Sequence, residues 1–139
     1  MFIVIRISGQ VGLSGEIKES LLRLRLKTKY SSTLLEETSQ NEKLLRKIRD
    51  FVAFGKIDRE TLKELIEKRA KPLKKGNKIE ADRIVSTLES KSLAETGIRS
   101  VFKLHPPRKG IDSKKHFGVA KGVLGNNKEK INDLVRRML

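Results

Sequence analysis

The sequence predicts an α+β fold, with a three-stranded antiparallel sheet in β-α-β-α-β order followed by a mostly helical addition. Two observations predict this class. A short apolar run rich in β-branched residues opens the chain, and two segments with apolar side chains at helical spacing follow it, each bounded by turn residues. Two amphipathic helices on one face of a sheet bury the apolar surfaces of both layers.

The first strand is predicted at residues 2–7, which are apolar except for Arg6. Glycines after this run indicate a turn, and Ser14 is positioned to cap a helix over residues 16–27. The apolar side chains of that helix fall on one face at helical spacing: Ile17, Leu21 and Leu24, with Leu22 beside them.

The second half of this core is predicted in the same way. A strand is expected at residues 33–36, and Ser39–Glu42 has the pattern of a capping box at the start of the second helix. Residues 51–54 are short and apolar, and we interpret them as the third strand, ended by Gly55, with a helix end as the alternative. The second helix presents one apolar stripe: Leu44, Leu45 and Ile48.

Three stretches divide the chain. Residues 1–57 form the α+β core, residues 58–98 the helical addition, and residues 99–139 a basic segment containing Pro and Gly that ends in a helix. Within the addition, Pro72 and Gly76 separate two helical patterns. Helices this short are not stable alone, so we expect all three stretches to pack as one unit.

The charge of the chain is strongly one-sided. It has 32 Lys and Arg against 17 Asp and Glu, a formal net charge of +15, and an isoelectric point of about 10.3. The last stretch alone has eleven cationic and three acidic residues, or +8, whereas residues 58–98 have ten and eight, or +2. A polyanionic partner relieves such self-repulsion, and nucleic acid is the commonest one.

Residues 103–127 combine several features of a phosphate-binding surface. They contain six cations, with Asp112 as the one acid, and four glycines that let the backbone approach a phosphate closely. The Pro-Pro pair at 106–107 stiffens the entry, and His116 and Phe117 are candidates for stacking on an unpaired base. The alternative is a solvated loop that only maintains solubility. A run of charges alone would favour that alternative, but the glycines and the Pro-Pro pair beside these cations favour binding.

Motifs for catalysis are missing from the sequence. It has no P-loop, no dinucleotide-binding fingerprint and no nucleophile motif. Cysteine is absent, and His105 and His116 lack the spacing of metal ligands and, apart from Asp112, nearby carboxylates. We therefore predict that the protein is not an enzyme and has no catalytic residue, metal or cofactor.

No apolar run approaches the ~20 residues that a membrane-spanning helix needs, and Trp is absent. We expect a cytoplasmic protein without a membrane partner. A DNA-binding architectural or regulatory protein shares the charge and is the alternative function. It would need a recognition helix or arm and, usually, a dimer.

Several segments, in order along the chain, resemble the universal large-subunit ribosomal protein L30 family in its long archaeal form, which is related to eukaryotic L7. They are residues 3–9, 44–57, 101–110, 122–126 and 131–138. The most specific is Val101–Gly110, with its Phe-x-Leu-x-Pro-Pro-Arg-x-Gly pattern. The chain departs from the family where Thr38-Ser39 replaces the usual Thr-Pro, and where Phe54 replaces a frequent Trp.

The resemblance implies a core similar to the ferredoxin-like fold and a non-catalytic role on the ribosome. The implied partners are large-subunit rRNA, with 5S rRNA as a further candidate, and neighbouring large-subunit ribosomal proteins. No obligate homo-oligomer is expected. The match supports Arg108, Lys109 and Gly110 as RNA-contacting positions. It gives weaker support to Lys103 and to the Gly125-Asn126 turn.

Charge and resemblance together give the predicted RNA-binding set. In the last stretch it comprises Lys103, His105, Pro107, Arg108, Lys109, Gly110, Lys114, Lys115, His116, Lys121 and Asn126. In the first stretch it comprises Arg23, Lys27, Lys29, Arg46 and Arg49, where Arg46 and Arg49 lie three residues apart and can address adjacent phosphates.

Overall fold

The computed structural model describes all 139 residues, with five α-helices and one sheet of six strands. The strands are β1 (Phe2–Arg6), β2 (Ser31–Leu35), β3 (Val52–Lys56), β4 (Val101–Lys103), β5 (Ser113–His116) and β6 (Gly122–Asn126). The helices are α1 (Gly15–Arg23), α2 (Ser39–Ile48), α3 (Arg59–Arg69), α4 (Ala81–Ser90) and α5 (Ile131–Met138). None of the helices combines the length and the apolar character that crossing a membrane requires.

The sheet is larger than the sequence predicts. Its centre is the expected antiparallel set, with β1 between β2 and β3, and is consistent with a ferredoxin-like core. The three-stranded sheet is not confirmed, because the strand order is β4-β2-β1-β3-β6-β5. The added strand β4 is antiparallel to β2, whereas β6 is parallel to β3 and β5 is parallel to β6.

The sheet is the middle layer of three, which explains why every residue of β1 is buried. Alternate residues of a strand point to opposite faces, so a strand covered on both faces is apolar throughout. Phe2 and Val4 join a core cluster with side chains of α1 and α2, whereas Ile3 and Ile5 join a larger cluster with α3, α4 and α5.

Helix α1 ends at Arg23, four residues before the predicted end. Arg25 adopts a left-handed conformation (φ 58°), and the N–H groups of Arg25 and Leu26 donate to the carbonyls of Leu22 and Leu21. This pattern is a Schellman turn, which normally uses glycine at the left-handed position. The helix begins at Gly15, one residue before the predicted start, and Ser14 is confirmed as its cap, because its side chain accepts from the N–H of Ile17.

The predicted capping box before α2 is wrong by one residue. Thr38 is the cap, with extended backbone and an Oγ1 atom that accepts from the N–H of Asn41. Ser39 is therefore the first helical residue, and the side chain of Glu42 does not cap the helix.

Gly55 lies inside β3 and does not end it. The carbonyl oxygen of Lys128 and the side chain of Ile131 pass directly over it, so a Cβ at this position would collide with both. Glycine is required here because the turn before α5 crosses the strand at close range.

Candidate nucleic-acid interface

A cleft of about 490 Å³ opens at one end of the sheet, between α2 and the pair β5–β6. We call it the α2–β6 cleft. Its walls carry polar and aromatic side chains, and its floor is apolar. The walls are Glu42, Arg46, Arg49, His116, Phe117 and Asn126, and the floor is Phe2, Phe54, Leu124 and Gly125.

The periodicity of α2 explains one wall of the cleft. Leu45 and Ile48 are fully buried against the sheet, so Arg46 and Arg49, one position further along the helix in each case, are turned outward. The parallel pairing of β3 with β6 explains the other wall, because it aligns Asn126 with Phe54. The residues of the two walls, which are at least 67 positions apart in sequence, thus face the same cleft.

Asp50, which follows α2, links the two walls. Its Oδ1 atom lies 2.8 Å from Nε2 of His116 and 3.9 Å from Nε of Arg49. The expectation that His116 lacks a nearby carboxylate is therefore wrong, because a residue 66 positions earlier supplies one. The contact places the imidazole beside the C-terminal end of α2.

Phe117 stands half-buried at the rim of the cleft. Its backbone N–H donates to the carbonyl of Leu124 at 2.8 Å, which anchors the residue to β6. Nζ of Lys130 lies 5.8 Å from the ring centroid, within the range of a cation–π contact.

A second group of predicted residues lies at the opposite edge of the sheet. Lys103 of β4 pairs in register with Ser31, and its side chain lines a groove with Arg25 and Lys27. Because α1 ends early, Lys27 and Lys29 belong to the turn after the helix. The predicted set therefore does not form one continuous surface.

Besides Arg49, two members of the set on the first stretch have partners within the protein. Nη2 of Arg23 lies 2.6 Å from Oε1 of Glu19, and Nζ of Lys29 lies 5.1 Å from the ring centroid of Tyr30. Both side chains remain at the surface, where such contacts contribute little to stability.

The Pro-Pro-Arg segment forms a turn held against the end of α5. The N–H groups of His105 and Arg108 donate to the carbonyls of Met138 and Arg137. Within the turn the N–H of Gly110 donates to the carbonyl of Pro107 at 3.0 Å. Pro107 is buried, so its ring supports the turn instead of offering a contact surface, unlike its exposed neighbours at 108–110.

The cations of the last stretch have almost no carboxylate partners of their own. Of the eleven Lys and Arg in residues 99–139, Arg136 is the only one with a carboxylate oxygen within 4 Å, supplied by Glu60 at 3.7 Å and Glu64 at 3.5 Å. Lys114, Lys115 and Lys121, on and beside the edge strand β5, are exposed. The carboxylates of the chain therefore leave their charge unneutralised.

Ion pairs instead connect the two helices of the addition. Nζ of Lys63 lies 2.7 Å from Oδ1 of Asp82, and Arg59 lies 3.3 Å from Glu89. The hydrogen bond to Asp82 raises the pKa of Lys63. No group of three or more His, Cys, Asp or Glu side chains is positioned to hold a metal ion.

Comparison with known proteins gives consistent matches. The family model described as ribosomal protein L30p/L7e matches residues 2–52. The large ribosomal subunit protein uL30 of Methanococcus maripaludis is 36% identical, over 99% of each chain. The uL30 proteins of Methanobrevibacter smithii and Nanoarchaeum equitans are 33% and 32% identical, over 99% or more of each chain.

Proposed function

The chain belongs to the ribosomal protein L30p/L7e family, and on that premise we propose that it binds large-subunit rRNA through the α2–β6 cleft and the exposed cations of its last stretch. Its relatives are large-subunit ribosomal proteins of archaea. It is accordingly a structural component of the ribosome and not an enzyme, and we propose that it acts in the cytoplasm.

The observation that carries the proposal is that ten of the eleven Lys and Arg residues in 99–139 have no carboxylate oxygen within 4 Å. Desolvating a charge is favourable only when a counter-charge replaces water, and the phosphates of RNA supply one. The cleft adds Arg46 and Arg49, whose planar guanidinium groups suit paired hydrogen bonds to phosphate oxygens.

The proposed contacts fall into three groups. At the cleft they are Arg46, Arg49, His116 and Asn126, and beside it Lys114, Lys115 and Lys121. At the turn near the end of α5 they are His105, Arg108, Lys109 and Gly110. At the opposite edge of the sheet they are Lys27, Lys29 and Lys103, with Arg23 nearby. Contacts at both edges would let the chain join separate RNA segments.

We expect the affinity for large-subunit rRNA to fall steeply with salt. If the chain engages about 6–10 phosphates, the association constant drops by about 10³–10⁵ between 50 and 200 mM monovalent salt, because each phosphate contact releases condensed cations. Filter binding of the full chain to large-subunit rRNA across this range measures the slope.

Two further arms of the same titration separate the alternatives. One uses 5S rRNA, and binding comparable to that of large-subunit rRNA would support the second RNA partner. The other uses duplex DNA, which should bind more weakly at every salt concentration. Equal or tighter binding to DNA would favour the architectural DNA-binding alternative, and a salt-independent affinity for rRNA would contradict the proposal.

A further inference from the structure

Glu42 is unexpected in the α2–β6 cleft. It lies in the first turn of α2, where a negative charge is favourable, but its side chain also lines the wall beside Arg46. These two residues are four apart on one helix, a spacing that favours an ion pair, yet neither side chain has an ion pair or hydrogen bond within the protein. A carboxylate also repels the phosphates that the arginines attract.

The floor of the cleft adds a second, independent observation. Phe2, Phe54 and Leu124 are 6 to 7% exposed and form the base of a cavity whose rim is polar. The rings of Phe2 and Phe54 meet edge to face, with centroids 6.4 Å apart. Phosphate groups gain nothing from such a floor, whereas the flat face of a nucleobase does.

We propose that the α2–β6 cleft binds one unpaired, extruded nucleotide of RNA and selects guanine through the carboxylate of Glu42. The inference rests on the proposed function, since it assigns a ligand to the same cleft. The base lies over the apolar floor beside Phe117, and Arg46 and Arg49 bind its flanking phosphates. About 490 Å³ accommodates a purine and leaves space for its ribose.

The choice of guanine follows from donor geometry. The Watson–Crick edge of guanine presents two adjacent N–H donors, on N1 and N2, which match the two oxygens of a carboxylate. Adenine and cytosine present an amino group next to a ring nitrogen that accepts, and this nitrogen would face a negative oxygen. In uracil the single N–H lies between two carbonyls. Only guanine satisfies both oxygens of Glu42.

The test uses four RNA hairpins that differ in one bulged nucleotide, G, A, C or U, and a fifth without a bulge. Binding of the full chain is measured by fluorescence anisotropy at several salt concentrations, and the hairpins are compared at the same concentration. We expect the guanine bulge to bind about tenfold more tightly than the others, and Glu42→Gln to remove this preference, because an amide replaces one acceptor with a donor. The affinity for the hairpin without a bulge should change less than twofold.

Asp133→Asn is the matched control. Asp133 is an exposed acid in the first turn of α5, outside the cleft. Its replacement by Asn removes one negative charge from the first turn of a helix, as Glu42→Gln does, and should leave the guanine preference intact. Thermal unfolding of both variants checks that they fold. Equal binding of all five hairpins with steep salt dependence would overturn the guanine pocket and leave phosphate binding standing. Absence of binding to every hairpin at low salt would overturn both.

Discussion

Reversing both cleft arginines, Arg46→Glu with Arg49→Glu, is expected to lower the affinity for large-subunit rRNA on the order of 100-fold or more. Each substitution removes a charge-assisted contact and adds a carboxylate that repels the same phosphate. Both side chains are exposed, Arg46 on α2 and Arg49 at its C-terminal cap, so the fold should tolerate the change. Filter binding at moderate salt measures the loss, and the salt slope should also become shallower.

The control for this pair is Lys68→Glu with Lys74→Glu. Both lysines are exposed in the helical addition, and the variant changes the net charge of the chain by the same amount. We expect its affinity to fall much less than that of the cleft variant. If the two variants lost affinity equally, net charge alone would govern binding and the cleft would have no special role.

Replacing Arg6 with Met is expected to destabilise the protein by about 4 kcal/mol. Arg6 is 3% exposed, and its guanidinium donates to the carbonyls of Leu26 at 2.6 Å and Lys27 at 2.9 Å. It also donates to the carbonyls of Ser8 and Gly9, each at 3.0 Å. Burial lowers the pKa of this guanidinium. Methionine keeps much of the volume but leaves four carbonyls without this donor.

Urea unfolding measures the change, with Arg25→Met as the control. Arg25 is exposed, and Met tolerates its left-handed backbone about as well as Arg does, so this substitution should be nearly neutral. A free energy of unfolding for Arg6→Met within ~1 kcal/mol of the control would mean that the four hydrogen bonds contribute little net stability.

The same arginine explains why the end of α1 was misplaced from the sequence. Without a glycine at position 25, the helical pattern continues through Lys27, and local propensity offers no reason to stop. The structure stops it because Arg6, on the neighbouring strand, satisfies the carbonyls of Leu26 and Lys27. A tertiary contact overrides the local signal, and no local pattern contains that information.

Strands β5 and β6 were missed for a related reason. Their sequences, rich in Lys and Gly, have weak strand propensity. Strand β6 pairs with β3, about 70 residues earlier, and β5 pairs in turn with β6. The central strands were predictable because β-branched apolar residues mark them locally. Residues 99–139 were recognised as basic from composition alone, whereas their approach to α2 depended on this long-range pairing.

The candidate site was also predictable only where local sequence carried the information. Arg46 and Arg49 were chosen from charge and helix spacing, His116 as a candidate for base stacking, and Asn126 from the resemblance. The structure brings these four to one cleft. Asp50 and Glu42 were not identified, because in sequence they are ordinary acids of a solvated helix. Their significance depends on what lies across the cleft.

The most direct test of the central claim is ultraviolet cross-linking of large ribosomal subunits that contain this chain, with mass spectrometric mapping of the peptides that carry nucleotides. RNA against the α2–β6 cleft predicts modified residues within 113–126, with Phe117 foremost, and near the end of α2. Cross-links confined to the α3–α4 helices, with residues 113–126 unmodified, would contradict the account.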